Sequence, residues 1–238
     1  MAPKKNVVKT TWPVAAWVSE AAAHYIVMAS NKAVQEKGSF SIALSGGSTP
    51  KQLFQLLAQA PFKNNIPWDK TIIAFGDERF VPATHKDSNF KMANDAILSK
   101  VPIPKKNILQ IKTSKIKPEA AAREYEKELK KMVPAFDLVL LGMGEEGHTA
   151  SIFPGSELLT DKKNNVAAVW VEEKKMYRIS LTLSFINKAN DVLFLVCGES
   201  KAPMVRQVFT DNNSRLPAAM VNAKGNVVWF LDEAANGR

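Results

Sequence analysis

Short apolar segments rich in β-branched residues alternate with helical segments along nearly the whole chain, and this alternation restricts the possible folds most strongly. Several of the apolar segments are almost continuous, which is typical of a strand covered on both faces in a parallel sheet. The predicted strands are residues 40–44, 71–75, 108–111, 136–141, 167–171, 177–183, 192–197 and 227–231.

Between the strands lie segments with apolar residues at helical spacing, and Gly38 stands where the first of these helices should end. The predicted helices are residues 14–35, 51–60, 89–98, 118–132 and 201–209. This alternation predicts an α/β fold, a doubly wound and mostly parallel sheet with helices on both faces. Because no repeat, low-complexity tract or linker-like segment interrupts the pattern, residues 1–238 are expected to form a single domain.

The chain is basic, with 32 Lys and Arg against 23 Asp and Glu and a formal net charge of +9. Such a charge favours an anionic partner, which can be nucleic acid or a small phosphorylated molecule. The lysines are scattered and do not form a stripe interleaved with aromatic residues. Charge alone does not decide between the two kinds of partner.

The sequence also predicts the cellular location of the protein. No stretch has the roughly 18 consecutive apolar residues of a membrane span, so no membrane contact is expected. The basic segment from Met1 to Thr10 is not followed by the apolar core of a secretory signal. The single cysteine, Cys197, lies in an apolar run, as expected of a buried thiol in a reducing compartment. A cytoplasmic location follows as the expectation.

In a parallel α/β sheet, ligands bind at the carboxyl ends of the strands. The segment Ser45-Gly46-Gly47-Ser48-Thr49-Pro50 follows the first predicted strand, and its two glycines let the backbone turn sharply and approach a ligand. A helix with Thr49 as N-cap and Gln52 in a capping box would present free N–H groups to an anion. The segment is either a phosphate loop or an ordinary turn. It matches neither a P-loop nor a dinucleotide fingerprint, so no organic cofactor is expected.

A second segment, Asp77-Glu78-Arg79, directly follows the predicted strand 71–75. Such a cluster is often a surface ion cluster, but its position after a buried-looking strand favours a ligand site. Arg79 can bind a phosphate or carboxylate group, or stabilise a developing oxyanion. Asp77 can orient a water molecule or a sugar hydroxyl.

A third segment carries His148, which follows the predicted strand 136–141 and a glycine-rich turn and is expected to begin a short helix. His24 within the first helix and His85 in a polar loop are expected to be structural or solvated. A neutral imidazole can take a proton from water, and Glu146 can fix its tautomer. No second His or Cys lies at ligand spacing from His148, so no metal site is expected.

Two basic residues further along are also candidates, although each taken singly is an ordinary surface charge. Arg178 lies at the start of the predicted strand 177–183, and Lys201 lies in a strand-to-helix turn, where a second phosphate ligand would fit. Nucleophilic catalysis is less favoured, because Ser48 and Ser151 lie in no Gly-x-Ser-x-Gly elbow and Cys197 has no nearby base in the sequence.

Together these segments resemble the 6-phosphogluconolactonase family, within the larger glucosamine-6-phosphate isomerase group. The resemblance spans nearly the whole chain and implies a Rossmann-like, NagB/RpiA-like fold. The matching segments are Leu44-Ser45-Gly46-Gly47-Ser48-Thr49-Pro50, Asp77-Glu78-Arg79-Phe80-Val81-Pro82 with Asp87-Ser88-Asn89, Leu141-Gly142-Met143-Gly144-Glu145-Glu146-Gly147-His148-Thr149-Ala150-Ser151-Ile152-Phe153-Pro154, Arg178-Ile179-Ser180-Leu181-Thr182-Leu183, Gly198-Glu199-Ser200-Lys201-Ala202 and Trp229-Phe230-Leu231-Asp232-Glu233-Ala234-Ala235.

The resemblance implies hydrolysis of 6-phospho-D-glucono-1,5-lactone to 6-phospho-D-gluconate, the second step of the oxidative pentose phosphate pathway. It implies that residues 45–49, Arg178 and Lys201 hold the phosphate, that His148 is the general base and that Arg79 stabilises the carbonyl oxygen. The expected partner is this small phosphorylated lactone, with no nucleic acid, and the chain is expected to be a monomer or weak dimer. The family usually has Asp where this chain has Glu146, so Glu146 is assigned a supporting role.

Two other functions compete. Amino-sugar phosphate isomerases/deaminases resemble the chain at the Gly-His turn, but they usually carry an aromatic residue where Arg79 stands and a later carboxylate that residues 149–154 lack. A non-catalytic sugar-phosphate sensor is the other alternative. The chain has no helix-turn-helix segment to couple such a sensor to DNA, and the presence of both His148 and Arg79 favours chemistry.

Overall fold

The computed structural model describes residues 6–211 and 215–238, so Met1 to Lys5, part of the segment weighed as a secretory signal, lie outside it. Its strands are β1 Val7–Trp12, β2 Phe40–Leu44, β3 Thr71–Phe75, β4 Asp77–Arg79, β5 Leu138–Leu141, β6 Val166–Val171, β7 Met176–Leu181, β8 Asp191–Val196 and β9 Val227–Asp232. Its helices are α1 Ala15–Lys37, α2 Ser48–Leu57, α3 Phe62–Asn65, α4 Asn89–Ala93, α5 Pro118–Met132, α6 Leu183–Ile186, α7 Ala202–Thr210 and α8 Pro217–Met220.

A central sheet of six strands has the order β1-β9-β8-β5-β2-β3, and every neighbouring pair is parallel. All residues of β2, β5 and β9 are buried. Successive side chains of a strand point to opposite faces, so complete burial means that both faces of the sheet are covered. The predicted α/β fold, a mostly parallel sheet with helices, is therefore confirmed.

Several details differ from the sequence predictions. The predicted strand 108–111 is wrong: only Ile108 pairs, with Ile73, while Leu109 and Ile111 are buried without strand structure. The apolar pattern there reflects the burial of these side chains and not a β-strand conformation. β1 was missed because it is an edge strand with four exposed residues, and such a strand carries a weak apolar signal.

A second, smaller sheet was also not predicted. Strands β4, β7 and β6 pair in an antiparallel arrangement, in that order. The predicted strands 177–183 and 167–171 correspond to β7 and β6, although β7 ends at Leu181 and Leu183 begins α6. Their periodicity does not say which partner they pair with. α1 ends at Gly38 as predicted, with a backbone φ of 80°. Among the described residues, none of the helices combines the length and the apolar character needed to cross a membrane.

At the amino ends of the central strands, a buried carboxylate ties several elements together. Asp137 Oδ2 accepts hydrogen bonds from the backbone N–H of Ser41 at 2.8 Å and from its hydroxyl at 2.9 Å. Asp137 Oδ1 lies 2.9 Å from Lys37 Nζ and accepts a bond from Asn190 at 3.3 Å. This carboxylate therefore links α1, β2 and the segment before β8 at the edge opposite the strands' carboxyl ends.

We predict that Asp137→Ala lowers the free energy of unfolding by about 2–4 kcal/mol, because it leaves a buried N–H group without an acceptor. Lys37→Ala is the matched control. Its ammonium is about half exposed, so its loss should cost less than about 1 kcal/mol. Chemical denaturation of both variants checks the prediction, and equal small effects would contradict it.

Candidate active site

A cavity of about 240 Å³ lies where the loops that follow the central strands meet. β2 has β3 on one side and β5 on the other, so the chain reverses direction across the sheet at this point, which is where α/β sheets bind ligands. The predicted site residues that line the cavity are Ser45, Gly46, Gly47, Asp77, Arg79, His148, Arg178 and Lys201. Ser48, Thr49 and Glu146 are not among its lining residues.

The predicted phosphate loop contributes mainly backbone to this cavity. Gly47, with φ 112°, is the N-cap of α2 and caps it without a side-chain hydrogen bond, so the predicted capping box at Thr49 is wrong. The helix begins earlier than expected because the glycine makes the turn itself, and Thr49 instead hydrogen-bonds Cys197. The first N–H groups of α2 have no partner within the helix, so they remain available to an anion beside Gly47.

Strands β4 and β7 bring two guanidinium groups to the cavity. Arg79 pairs directly with Arg178 across these strands, and like charges in such a pair destabilise a sheet. Arg178 is buried, and its Nε has no hydrogen-bond partner among the described residues. Burial lowers the pKa of the Arg178 guanidinium, an effect that Asp77 partly offsets. The arrangement therefore places positive charge at the cavity.

Asp77 is committed to protein contacts on both of its oxygens. Its Oδ2 accepts a hydrogen bond from Ser151 Oγ at 2.7 Å and lies 3.8 Å from Arg178 Nη1. Its Oδ1 accepts a bond from Asn89 Nδ2 at 3.2 Å. Such a carboxylate holds neighbouring groups in place as much as it contacts a ligand.

Asn89 is a site residue that reasoning from the sequence missed. It is buried, lines the cavity, accepts a hydrogen bond from Arg79 Nη1 and packs so closely on Gly46 that a Cβ there would clash with its amide. Asn89 belongs to the segment Asp87-Ser88-Asn89, which resembles the family, and this resemblance could have identified it as a site residue. Asn89 thus connects the loop after β2 with the arginine of β4.

Glu78 points away from the cavity because neighbouring residues of a strand face opposite sides. Its carboxylate accepts four hydrogen bonds, from the N–H groups of Arg79, Asn89 and Phe90 and from the Ser88 hydroxyl, at 2.7–2.9 Å. Burial nevertheless raises the pKa of the Glu78 carboxyl above its ordinary value. The buried carboxylate fixes the start of α4 against β4 and so determines where Asn89 and Arg79 lie.

His148 lies in a turn held by its own backbone. The N–H of Gly144 donates to the His148 carbonyl at 2.9 Å, and the Thr149 hydroxyl donates to the Gly142 carbonyl at 2.8 Å. A Cβ on Gly144 would lie 2.1 Å from two ring atoms of His148, so only glycine leaves room for the imidazole. The short helix predicted at His148 does not form. Residues 149 and 152 instead pair across a tight turn that contains Ala150 at φ 47°.

Burial lowers the pKa of His148 below its ordinary value, while the charge of Glu146 acts in the opposite direction. His148 Nδ1 lies 3.1 Å from Glu146 Oε1 but makes no aligned hydrogen bond to it, and the Glu146 side chain is 51% exposed. Burial tends to raise the pKa of the Glu146 carboxyl, but a backbone hydrogen bond and His148 bring it below its usual value. Near pH 7 the imidazole is therefore neutral, as a general base requires.

Lys201 completes the charge of the cavity from the turn before α7, with its Nζ 3.9 Å from Glu145 Oε1. A larger cavity of about 630 Å³ lies beside β6, but its charged lining is acidic, with Glu157, Asp161, Glu172 and Glu173, which does not suit an anion. Within residues 6–211 and 215–238, no group of three or more His, Cys, Asp or Glu side chains is arranged to hold a metal ion.

Three cations, one carboxylate and a neutral imidazole thus share one small cavity. The cations can hold an anionic ligand in a fixed orientation, and the imidazole can take a proton from water or from the ligand. Cys197 is a poor nucleophile in comparison, because burial raises the pKa of its thiol to about 12. The geometry suits proton-transfer chemistry on a small phosphorylated molecule.

Comparison with known proteins identifies the family of the chain. A family model for glucosamine-6-phosphate isomerases/6-phosphogluconolactonase matches residues 13–229. A 6-phosphogluconolactonase of Nostoc sp. is 40% identical over 212 residues, which cover 85% of this chain and 86% of that protein. The 6-phosphogluconolactonase structure from Trypanosoma brucei superposes with a TM-score of 0.88 at 30% identity and covers 98% of each chain.

A monomeric glucosamine-6-phosphate deaminase shares the fold, with a TM-score of 0.84 at 20% identity over 98% of this chain and 99% of that one. This likeness shows a common architecture and carries no argument about the reaction. The matches at 30% identity and above, over most of both chains, do show membership. The chain is therefore an enzyme of the glucosamine-6-phosphate isomerase/6-phosphogluconolactonase family.

Proposed function

We propose that this enzyme hydrolyses 6-phospho-D-glucono-1,5-lactone to 6-phospho-D-gluconate, the second step of the oxidative pentose phosphate pathway, with His148 as general base. The observation that carries the proposal is the shared cavity of Arg79, Arg178, Lys201 and a neutral His148. Its relatives bear the name of this activity. The anion site and the base line the same cavity, so one ligand can bind there through its phosphate and present its ester carbonyl to the base.

The phosphate is proposed to bind Arg178, Lys201 and the backbone of residues 45–47, with the N–H groups of α2 adding to the positive field. Arg178 offers a buried Nε donor that no described protein group uses. An anion at this point would also relieve the repulsion between Arg178 and Arg79 on neighbouring strands. Asp77 then acts chiefly by orienting Arg178 and Ser151.

In the proposed reaction, His148 removes a proton from water as the water oxygen attacks the lactone carbonyl carbon. Arg79 stabilises the carbonyl oxygen as it gains negative charge. The bond from that carbon to the ring oxygen then breaks, and the imidazolium returns its proton to the departing oxygen. The new carboxylic acid ionises in water, so each turnover releases one proton. A cyclic ester held by its phosphate needs only this base and this cation.

The amino-sugar phosphate deaminase alternative gains no support at the position where a later carboxylate would stand. Residues 149–154 carry no carboxylate, and the Ser151 hydroxyl in that turn donates to Asp77. The single domain, the cytoplasmic location and the monomeric or weakly dimeric state remain proposals that accompany this function. The buried core that runs from Val18 to Ala235 supports the first of them.

We predict that His148→Ala lowers kcat by about 10²–10⁴-fold, the range for loss of a general base, while 6-phosphogluconate still binds. The lactone is generated in place from glucose 6-phosphate by its dehydrogenase, and acid release is followed. His85→Ala is the control, because His85 lies in an exposed loop outside the cavity. Full activity in the His148 variant would show that another residue is the base.

The acidic limb of kcat/KM should lie below pH 6.5, the ordinary pKa of histidine, because burial lowers the pKa of His148. Activity is present above this pKa and falls as protons fill the imidazole at lower pH. Glu146→Gln removes a charge that raises the pKa of His148, so its limb should move to still lower pH. A limb that moves to higher pH would contradict the assignment.

Lys201→Ala should raise KM by about tenfold, the loss of one charge-assisted hydrogen bond, with a smaller change in kcat. Lys32→Ala, on the exposed face of α1, is the matched control and should leave KM unchanged. Steady-state kinetics on the same coupled assay distinguish them. An unaltered KM in the Lys201 variant would remove this lysine from the phosphate site.

A further inference from the structure

An aromatic ring that is not among the residues lining the cavity lies against the proposed base. The Phe153 ring stacks on the His148 imidazole, with ring centroids 4.3 Å apart and planes inclined by 25°. The two residues belong to the same turn after β5, and Phe153 is partly buried. The contact covers one face of the imidazole.

Hydrogen bonding holds this imidazole only weakly within the described structure. Nδ1 has no aligned partner there, and the nearest carboxylate, Glu146, lies on a half-exposed side chain. The Gly144 backbone supports the ring along its Nδ1–Cε1 edge. The stacked phenyl ring packs against one face of the imidazole and limits its rotation about the side-chain bonds.

We infer that Phe153 is a positioning residue, whose ring sets the plane of the His148 imidazole so that the base faces the cavity. The inference rests on the proposed function in one respect, the use of His148 as the base. The same phenyl ring has the Arg178 guanidinium 5.9 Å from its centroid. Phe153 therefore lies against the base and also near a cation of the anion site.

The stacking also affects the protonation of His148. The charged groups around the imidazole are Glu146 on its own loop, Asp77 and Arg79 on β4, Arg178 on β7 and Lys201 before α7. Burial is the largest cause of the lowered pKa of His148. Phe153 supplies part of that burial, so its removal should raise the pKa towards the ordinary value. This direction is opposite to the effect expected of Glu146→Gln.

The test compares Phe153→Leu, which keeps an apolar side chain but loses the flat face, with Phe153→Tyr, which keeps the ring. Phe209→Leu is the matched control, because Phe209 is a partly buried phenylalanine that packs on Trp229 outside the cavity. NMR titration of the imidazole signals gives the pKa of His148 without reference to activity. The chain has three histidines, so the His148 signal is assigned by its absence in His148→Ala.

Phe153→Leu should lower kcat by about 10–100-fold with little change in KM, the cost of a misplaced catalytic group, and should raise the His148 pKa. Phe153→Tyr should keep kcat and the His148 pKa near those of the unsubstituted enzyme, and Phe209→Leu should change neither. An unshifted pKa in the folded Leu variant, or a loss of kcat that Tyr fails to restore, would overturn the inference. If the NMR pKa shifts while the acidic limb of kcat/KM does not follow, the proposed base is refuted and not the stacking contact.

Discussion

The pairing of β4 with β7 is the interaction on which the site depends most. It brings Arg79 and Arg178 side by side at the carboxyl ends of the central strands, with Asp77 beside them. The two guanidinium groups repel each other, but Asp77 attracts Arg178 more strongly than Arg79 repels it, and burial is the main cost to the charge of Arg178. The sheet pairing, fixed by backbone hydrogen bonds, therefore concentrates positive charge at one partly buried place. An anionic ligand there would add to the attraction that Asp77 provides.

The same pairing is held in place by a buried carboxylate. Glu78 receives four hydrogen bonds, and these join β4 to the first turn of α4. A buried carboxylate with this many donors is costly to disturb, because each donor would lose its acceptor away from water. The position of Asn89 is set by its backbone hydrogen bond to Glu78. Its side chain links Arg79, Asp77 and the turn at Gly46. The precision of the site therefore comes from Glu78, which faces away from the cavity, and from Asn89, which lines it.

The sequence predicted the central sheet well because full burial produces apolar runs that need no knowledge of the partner strands. It also placed the predicted site residues near one another, because the carboxyl ends of parallel strands share one edge. Cross-strand partners could not be predicted, so the pairing of Arg79 with Arg178 was missing from the sequence prediction. The roles of Asn89 and Phe153 were not predicted from the sequence for the same reason, since both act through contacts with other elements or with a neighbouring ring.

The contact between Phe153 and His148 also bears on the glutamate at position 146. In a dyad in which a carboxylate orients the imidazole through an aligned hydrogen bond, one added methylene would move the ring or break the bond. Here the bond is not aligned, and Glu146 acts on His148 mainly through its charge, which decreases gradually with distance. If packing against Phe153 and Gly144 sets the orientation, the carboxylate only adjusts the basicity of the imidazole. Under that division, a longer acidic side chain at this position is compatible with a working base.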